Sequence, residues 1–488
     1  MQDKEYYAEL FGIEPEYIDE LVKRPMSYPS SVSDHFGIVH KVTIKRRGME
    51  PVSLVEKISP VQLRMERGHK NSDVYEATVL RTLKRTIPRL PRNIHFVTPV
   101  FFDHRLGQKY GEREDRAIVT AFVPGTDFTE ELDKLRREEN KQRYIIEGGT
   151  ADRADSGVVD KKKADITREK ISTVRDAYVF LAVRALAEFH HYLREKIGKE
   201  IELELKKTEG DYVEAGYSVP TSLFDPRRQQ PDFYVQRVVD NIGELLVQFD
   251  IKNSERCLER LRATNGTGRS PLNPMRALDK DSDGNIIISD YRPVNLKLII
   301  DDSLRNQTRE YITSERIEES GEIQERILDS GKIGIMDLSD LRIGPPLLDF
   351  TDIVCDPRVK FRMDKRIASL RRFSDYEAML RGELERAATL FPDHLNKLAR
   401  YMIYKALKGA VNTGIMNEKR FYLETLRGSL GTTEDFGPIR EAISGPLGIM
   451  IERLRRPEQG PIIRRGNGTV HKNFDPSKYR NTPNIVPA

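Results

Sequence analysis

Three polar residues follow strand-like runs in a pattern that suits phosphoryl transfer. In "IIISDYRPVNLKLI", Asp290 ends an apolar run and Asn295 follows five residues later, while Asp337 ends a second apolar run, "IGIM". In phosphoryl transfer, an Asp in such a loop accepts or orients the hydroxyl proton, and an Asn and a second Asp hold Mg²⁺ against the phosphates. Carboxylate and amide oxygens are the hard ligands that Mg²⁺ prefers. The pattern predicts Asp290 as the base, and Asn295 and Asp337 as metal ligands.

The elements that must position these residues form a β-rich first part and a helical remainder. The first 125 residues contain several strand-like runs and the helical segment "SDVYEATVLRTLKRTI", and residues 1–25 have the spacing of a short amphipathic helix. Further along the chain we expect helices at 231–264 and 367–456, and strands at 285–289, 296–301 and 332–337.

Three segments look peripheral to this core. Residues 131–165 are dense in charge and poor in apolar side chains, which predicts an exposed insertion or flexible segment. Residues 301–331 separate two predicted strands and look like a second insertion. Residues 457–488 are basic and rich in Pro, Gly and Asn, as expected of a poorly packed tail.

Composition narrows the class of protein. A chain of 488 residues with 38% hydrophobic and 32% charged residues is expected to fold into two or more soluble lobes. No apolar run approaches the ~18 residues of a membrane span, so we expect no membrane association and a cytoplasmic location. Two cysteines provide no disulfide framework. A net charge of +4 does not indicate nucleic acid as a partner.

The order of the motifs resembles the aminoglycoside phosphotransferase and choline kinase branch of the protein-kinase-like superfamily. That branch has a His-Gly-Asp loop with an Asn after four further residues, then a strand that ends in Asp, then a Pro-containing segment that ends in Asp. Here "ISDYRPVN" matches the loop, "IMDLSD" the strand end, and "IGPPLLDF" the last segment with Asp349 as its acid. "LAVRALAEFHH" resembles the helix before the loop. The resemblance spans most of residues 30–360.

The resemblance implies an α+β, bilobal protein-kinase-like fold. A small antiparallel β lobe with one helix, residues 1–125, would bind the nucleotide. A larger, mainly helical lobe, residues 126–456, would carry the catalytic and metal-binding loops. The expected reaction is transfer of the γ-phosphoryl group of ATP or GTP, with Mg²⁺, to a hydroxyl of a small molecule.

A lysine and a glutamate in the first lobe complete the implied site. Lys57, in the strand "SLVEKIS", and Glu76, on the next helix, match the pair that positions the α- and β-phosphates. The alternative for each residue alone is a surface ion pair worth under about 1 kcal/mol. Their order and spacing favour the functional interpretation.

Two nucleotide contacts are assigned by position. Ser31 and Ser33 lie in a small-residue stretch whose backbone and hydroxyl groups suit phosphate capping, with an ordinary hairpin as an equal alternative. "AIVTAFVPGTDF" resembles the strand that links the lobes, so the backbone around Phe122 and Val123 would meet the base.

The sequence departs from the family pattern in one important place. Ile288 and Ser289 replace the usual His-Gly before the catalytic Asp, and the insertion before Asp337 is longer than usual. A catalytically silent protein is therefore a possible outcome, although the presence of Asp290, Asn295 and Asp337 together argues against it.

Two metal-binding alternatives are less favoured. Residues 279–290, "DKDSDGNIIISD", match an EF-hand loop, but the following "YRPVNLKLII" contains Pro and continues as a strand where a helix is required. An Asp/Gly turn is preferred. His190 and His191 are adjacent and point in different directions, so we expect one to pack near the catalytic loop and the other to be exposed.

Three functions compete: a small-molecule kinase, an atypical protein kinase, and a silent nucleotide-binding regulator. The Ala-Pro-Glu end of a protein-kinase activation segment is not found, and "GPPLLDF" occupies that stretch. The mixed charge of the helices after residue 360 does not favour an antibiotic acceptor. Arg292 is expected to meet a phosphate or the acceptor, or alternatively to bond to a neighbouring carboxylate.

Overall fold

The computed structural model describes residues 2–26, 39–59, 72–105, 116–146, 161–214, 233–252, 254–262, 271–280, 285–288, 290–314, 320–338, 341–432 and 434–455. The strands are β1 Ile18–Pro25, β2 Val39–Arg46, β3 Val52–Ser59, β4 Phe96–Val97, β5 Phe101–Arg105, β6 Arg116–Ala121, β7 Thr126–Asp127, β8 Ile286–Ile287, β9 Leu296–Ile299, β10 Lys332–Ile335 and β11 Arg342–Ile343. The helices are α1 Gln2–Phe11, α2 Ser72–Thr86, α3 Phe128–Ile146, α4 Lys161–Tyr192, α5 Gly198–Glu214, α6 Phe233–Gln248, α7 Ser254–Arg262, α8 Ala277–Lys280, α9 Asp302–Thr313, α10 Ser320–Ser330, α11 Pro346–Val354, α12 Met363–Leu380, α13 Leu384–Asn412, α14 Met416–Leu430 and α15 Gly437–Arg455.

The chain forms two compact units. One comprises residues 1–225 and 282–395, and the other comprises residues 226–281 and 396–488. All the described strands belong to the first unit. An antiparallel sheet at the start of the chain is followed by a mainly helical remainder, so the predicted α+β class is confirmed.

The N-terminal sheet is antiparallel, with the strand order β1-β2-β3-β6-β5. One of its faces packs on α1, where Val42 and Leu54 join a buried cluster with Tyr7. Side chains alternate between the two faces of a strand. Lys41 and Lys57 therefore lie on the opposite face, which we call the inner face.

Two smaller sheets support the central loops of the first unit. One has the order β4-β10-β9-β7, with β10 parallel to β4 and antiparallel to β9. The other pairs β8 with β11. The pairing of Ile335 with Leu296 places the end of β10 beside the start of β9.

Helix α4 is the central helix of the first unit. Its middle is apolar on all sides, and Leu181, Val183 and Leu186 are fully buried, as expected of a helix that is surrounded by other elements. Helices α3, α10 and α12 and the strand β10 pack against it. The segment "LAVRALAEFHH" is helical as expected, and the helix that contains it begins at Lys161.

The second unit consists of helices in its described part. Tyr234 of α6 contacts Tyr404 of α13 edge to face, with ring centroids 5.1 Å apart. The Lys419 ammonium of α14 donates to the Gln248 side chain of α6 over 2.7 Å. The helices predicted at 231–264 and 367–456 are confirmed as α6 and α7, and as α12 to α15.

Two predictions about the first unit are wrong. Residues 18–25 form the edge strand β1 where a helix was expected, because Ile18 packs under α1 and the strand pairs with β2. The part of 131–165 that the structure describes is not a flexible insertion. Residues 131–146 belong to the helix α3, where Leu132 is buried and Arg175 of α4 lies 2.6 Å from Glu139, and residues 161–165 form the start of α4. The charge density of α3 reflects such ion pairs along a partly covered helix.

The segment 301–331 forms α9 and α10, both of which pack against α4. Asp301 caps α9 by accepting the Leu304 N–H, and the buried Lys170 ammonium donates to the Tyr311 and Ser314 carbonyls at its other end. Among the residues described, no helix is both long and apolar enough to cross a membrane.

Candidate functional site

Lys57 makes the central contact of the site. It lies on the inner face of β3, where the apolar neighbours Leu54 and Val55 fix the strand. Its ammonium is 2.6 Å from Glu76 Oε2 on α2 and 3.8 Å from Asp337 Oδ1. Glu76 is almost fully buried, and a carboxylate in that position needs a cationic partner. The predicted pair is formed, and it also reaches the predicted metal ligand.

Asp337 and Asn295 are brought together by the pairing of β9 with β10. Met336 follows β10, and its N–H donates to the Asn295 carbonyl over 2.9 Å. Asp337 is the next residue, so its carboxylate emerges where the loop ends and β9 begins. Two sequence-distant predictions therefore meet at adjacent strand ends.

The Asp290 carboxylate is held on both of its oxygens. Arg292 Nε lies 2.6 Å from Oδ1, and Arg292 Nη2 donates to Oδ2 over 2.9 Å. Asn295 Nδ2 donates to Oδ2 over 2.8 Å and to the Asp290 carbonyl over 3.0 Å. A paired guanidinium and carboxylate is a strong, oriented contact. Of the two roles expected for Arg292, the bond to a neighbouring carboxylate is the one observed.

The loop itself is anchored to α4. The Tyr291 hydroxyl donates to the Ala182 carbonyl over 2.8 Å, and the side chain is completely buried. Burial raises the pKa of Tyr291 well above its usual range, with further contributions from the Asp349 and Glu188 carboxylates. Tyr291 therefore stays neutral and works as a fixed anchor beside Asp290.

A second anchor comes from the downstream segment. Asp349 Oδ2 accepts the Ile288 N–H over 2.6 Å and the His190 Nε2 proton over 2.9 Å, and all three residues are buried. Ile288 directly precedes the loop, at a position that is His in the family pattern. His190 packs near the loop as predicted, and His191 is half-buried, with a pKa that burial lowers.

Tyr75 is a site residue that the sequence analysis missed. It precedes Glu76 on α2, and its hydroxyl donates to the Leu341 carbonyl beyond Asp337. This contact ties the helix that carries Glu76 to the segment that follows the predicted metal ligand. A tyrosine next to the helix glutamate was the available signal, but its partner is 266 residues away.

The linker after β6 lies against the second sheet. The N–H groups of Ala121 and Phe122 donate to the Val100 and Ser53 carbonyls, respectively, so both N–H groups are hydrogen-bonded within the protein. Val123 is buried, and a side chain at Gly334 of β10 would meet it. Gly125 has φ +108°, and a Cβ there would lie 2.5 Å from the Leu298 carbonyl oxygen.

Two lysines lie close to the Phe122 ring. Lys41 Nζ of β2 is 4.3 Å from the ring centroid, and Lys297 Nζ of β9 is 4.8 Å from it. Lys297 also pairs with Asp127 over 3.1 Å. Next to Lys41, the inner face of strands β1 and β2 borders a cavity of about 240 Å³. The residues that line this cavity are Glu20, Val22, Arg24, Lys41, Thr43 and Lys45.

The structure thus brings together five of the predicted site residues in two contacting groups, Lys57 with Glu76 and Asp337, and Asn295 with Asp290. The two groups are linked through the backbone, where the Met336 N–H donates to the Asn295 carbonyl. Phe122 and Val123 lie in the linker between the two sheets. Ser31 and Ser33 fall outside the described residues, as does most of the acidic part of the EF-hand match. The part beyond that match is the loop and β9, so the helix that an EF-hand requires is absent there.

The donor set suits a phosphate-bound Mg²⁺. Within the described ranges, no group of three or more His, Cys, Asp or Glu side chains could hold a metal alone. Mg²⁺ commonly binds through one or two carboxylates together with substrate phosphates and water, so it needs no such cluster. The Asn295 amide nitrogen is occupied by Asp290, which leaves the amide oxygen as a hard ligand beside the Asp337 carboxylate.

Comparisons with known proteins find remote structural similarity. No family model and no curated protein matches the chain. The chain is similar to a GDP complex of a mutant aminoglycoside 2′-phosphotransferase IIIa, with 12% identity, a TM-score of 0.36, and coverage of 94% of this chain and 99% of that one. It is also similar to a thermostable mutant of aminoglycoside phosphotransferase APH(4)-Ia with ADP and hygromycin B, with 10% identity, a TM-score of 0.31, and coverage of 92% and 99%. At this distance, the kinase-like interpretation rests on the contacts within the chain.

Proposed function

We propose that this chain is a phosphotransferase that moves the γ-phosphoryl group of a nucleoside triphosphate to a hydroxyl of a small molecule. One observation carries the proposal: Lys57 contacts both Glu76 and Asp337, while Asp337 lies beside the Asn295 that holds Asp290. A structural ion pair needs only two of these residues. These contacts, linked by the backbone bond from Met336 to Asn295, support a single site with a phosphate end and an acceptor end.

Asp290 is the group that receives the proton. As the acceptor oxygen bonds to the γ-phosphorus, the bond from that phosphorus to the β,γ-bridging oxygen breaks, and the hydroxyl proton passes to Asp290. Asn295 fixes the carboxylate through its amide. Arg292 must release part of its contact to admit the hydroxyl, and its guanidinium then lies near the charge on the transferred group.

Lys57 holds the phosphates that stay with the leaving nucleotide. Glu76 keeps the ammonium extended from the inner face, because the pair is only about one-fifth exposed on the lysine side. Asn295 and Asp337 would hold the Mg²⁺. That ion neutralises charge on the phosphate oxygens. The Tyr75 contact keeps α2, and with it Glu76, in register with the Asp337 segment.

The remaining parts of the proposal follow from the sequence. Residues 1–125 are the nucleotide-binding part, residues 126–456 carry the catalytic and metal-binding loops, and the location is the cytoplasm. Ser31 and Ser33 cap the phosphates, and the backbone at Phe122 and Val123 meets the base. The acceptor is a small molecule with a hydroxyl group.

A second candidate function is a silent nucleotide-binding regulator. The observation that favours it is the engagement of both Asp290 oxygens by Arg292 and Asn295, which closes the position of the base. The first candidate requires that a bound acceptor displaces Arg292. The second requires that nothing does.

Turnover separates the two candidates. Purified protein is mixed with Mg²⁺ and ATP or GTP, and release of the nucleoside diphosphate is followed over a panel of hydroxyl-bearing metabolites. The Asp290→Asn variant is the control for contaminating activity. Acceptor-dependent turnover in the wild type alone supports the phosphotransferase. Nucleotide binding without turnover for any acceptor supports the regulator, and absence of nucleotide binding contradicts both.

A further inference from the structure

Two lysines beside Phe122 have no role in the phosphoryl transfer described above. Lys41 and Lys297 come from two different sheets, and each ammonium lies within 5 Å of the centroid of the Phe122 ring. The two ammonium groups are therefore no more than about 9 Å apart. Lys297 is almost fully buried, and Asp127 is its carboxylate partner at 3.1 Å. Two cations around one ring need a stronger reason than cation–π attraction.

Both lysines lie close to the phosphate end of the site. Lys41 is paired across the sheet with Val55, which is two residues from Lys57 and on the same inner face. Lys297 is two residues beyond Asn295. Two residues along a strand span roughly 7 Å. If the phosphates lie at Lys57 and Asn295 as in the proposed function, then Lys41, Lys297 and Phe122 are within reach of the base of the same nucleotide.

The linker brings Phe122 against this space. Gly125 allows the chain to pass close to the Leu298 carbonyl, and Gly334 leaves room for Val123. A larger residue at Gly125 or Gly334 would prevent the corresponding close approach. The Phe122 ring therefore lies between β2 and β9, the strands that carry the two lysines.

We propose that Lys41 and Lys297 select guanine, so that GTP is the phosphoryl donor; this inference rests on the proposed function. An ammonium group has three donors and no acceptor. Guanine presents two adjacent acceptors, N7 and O6, whereas adenine presents N7 beside an amino group that is itself a donor. Next to an adenine amino group, the lysine ammonium would meet another hydrogen-bond donor and could form no hydrogen bond with it. Asp127 can accept one of the three protons of the Lys297 ammonium.

Binding of four probes tests this selection without knowledge of the acceptor. Thermal unfolding and calorimetry with Mg²⁺ compare GTP, ITP, 7-deaza-GTP and ATP. ITP keeps N7 and O6 but lacks the 2-amino group, and 7-deaza-GTP lacks N7. We expect GTP and ITP to bind about tenfold more tightly than ATP. We expect 7-deaza-GTP to lie between them.

Lys41→Met and Lys297→Met keep most of the length of the side chain and remove the ammonium donors. Each is expected to reduce the GTP preference about threefold, and the double variant to abolish it. Lys84→Met is the matched control, because Lys84 Nζ of α2 lies 5.5 Å from the Phe102 ring of β5, in a contact of the same kind away from Phe122. Unfolding without ligand checks that each variant is folded.

Each contrary result has its own meaning. ATP binding at least as tight as GTP binding overturns the guanine assignment and leaves the phosphotransferase intact. A GTP preference that ITP does not share places selection at the 2-amino group and overturns the role of the lysines, as does a preference that survives in the double variant. If no nucleotide binds, both the inference and the proposed function are wrong. The wild-type ranking decides the question even if a variant fails to fold.

Discussion

The Lys57 ammonium lies 2.6 Å from the Glu76 carboxylate and in the same place reaches Asp337 at 3.8 Å. The glutamate is buried, and the lysine is partly exposed toward the inner face. The Lys57 ammonium thus has a carboxylate on each of two elements, α2 and the end of β10. An isolated surface pair has no such third partner.

This geometry predicts that Lys57 and Glu76 act as one unit. Lys57→Ala and Glu76→Ala should each lower kcat/KM at least about a hundredfold, since either change misplaces the ammonium. The double variant should be little worse than the worse single variant, as is usual for residues that share a task. Steady-state kinetics with the acceptor found in the metabolite panel measures this.

The exposed pair Lys134 and Glu130, 3.1 Å apart on α3, is the matched control. Its removal should change stability by less than about 1 kcal/mol and leave turnover unchanged. Fully additive losses for Lys57 and Glu76 would mean that they do not cooperate.

Asp290→Asn should separate binding from chemistry. The amide oxygen in the Oδ2 position can still accept from Arg292 Nη2 and Asn295 Nδ2, so most of the loop contacts are kept, although the contact with Arg292 Nε is lost. The amide cannot take the hydroxyl proton. We expect turnover to fall by about two to four orders of magnitude, with nucleotide-induced stabilisation retained. Turnover near the wild-type rate would show that another group is the base.

Asp337→Ala should weaken the Mg²⁺-dependent part of nucleotide binding. The carboxylate lies beside Asn295 and within 3.8 Å of Lys57, a position from which it can meet a phosphate-bound cation. Thermal shifts with nucleotide are recorded with Mg²⁺ and with EDTA. The difference between the two conditions should shrink in the variant, and Asp329→Ala, at an exposed position on α10, should leave it unchanged. An unaltered difference in Asp337→Ala would exclude the metal role.

The central residues could be predicted because each stands at the end of an apolar strand. Asp290 and Asp337 follow apolar runs whose burial is almost obligatory, and Asn295 directly precedes one. The pairing of β9 with β10 then brings Asn295 and Asp337 together. Lys57 is recognisable for the same reason, as a cation in an apolar strand. For these residues, the local sequence pattern was sufficient to predict the position, because the path of the strand determines where the side chain lies.

What could not be predicted depends on side chains that meet across the fold. The contact of Tyr75 with Leu341 and the approach of Lys41 and Lys297 to Phe122 join residues from distant parts of the chain. The turn of Arg292 onto Asp290 is a rotamer choice that spacing does not encode. The strand at 18–25 was mistaken for a helix because its apolar spacing fits both periods, and only pairing with β2 decides.

Asp349 should prove to be a positioning residue for the loop. It is fully buried and accepts both the Ile288 N–H and the His190 ring proton. Asp349→Ala leaves two buried donors without an acceptor and should cost about 2–5 kcal/mol of unfolding free energy. Asp349→Asn keeps an acceptor and should restore much of the stability. If the role is positioning, the Asn variant should still lower kcat more than it raises KM, whereas a merely structural role predicts wild-type kinetics once the fold is restored.

Lys419 predicts a pH dependence of stability in the second unit. Its side chain is buried, its ammonium donates to Gln248, and burial lowers its pKa from 10.5 to about 8, with the Glu244 carboxylate acting in the opposite direction. The unfolded chain keeps the ordinary pKa. Between pH 8 and 10.5 the unfolded chain therefore holds a proton that the folded chain lacks, so the free energy of unfolding rises with pH across this window.

The size of the rise follows from the shift. At about 1.4 kcal/mol per pH unit, it amounts to roughly 3 kcal/mol at most. Lys419→Met removes this contribution, so the free energy of unfolding of the wild type minus that of the variant should increase from pH 8 to pH 10 and stay constant below pH 7. Urea unfolding at several pH values measures the difference, which cancels groups common to both proteins. Lys45→Met, at an exposed position, should give a flat difference. A flat difference for Lys419→Met as well would show that this lysine keeps its ordinary pKa in the folded protein.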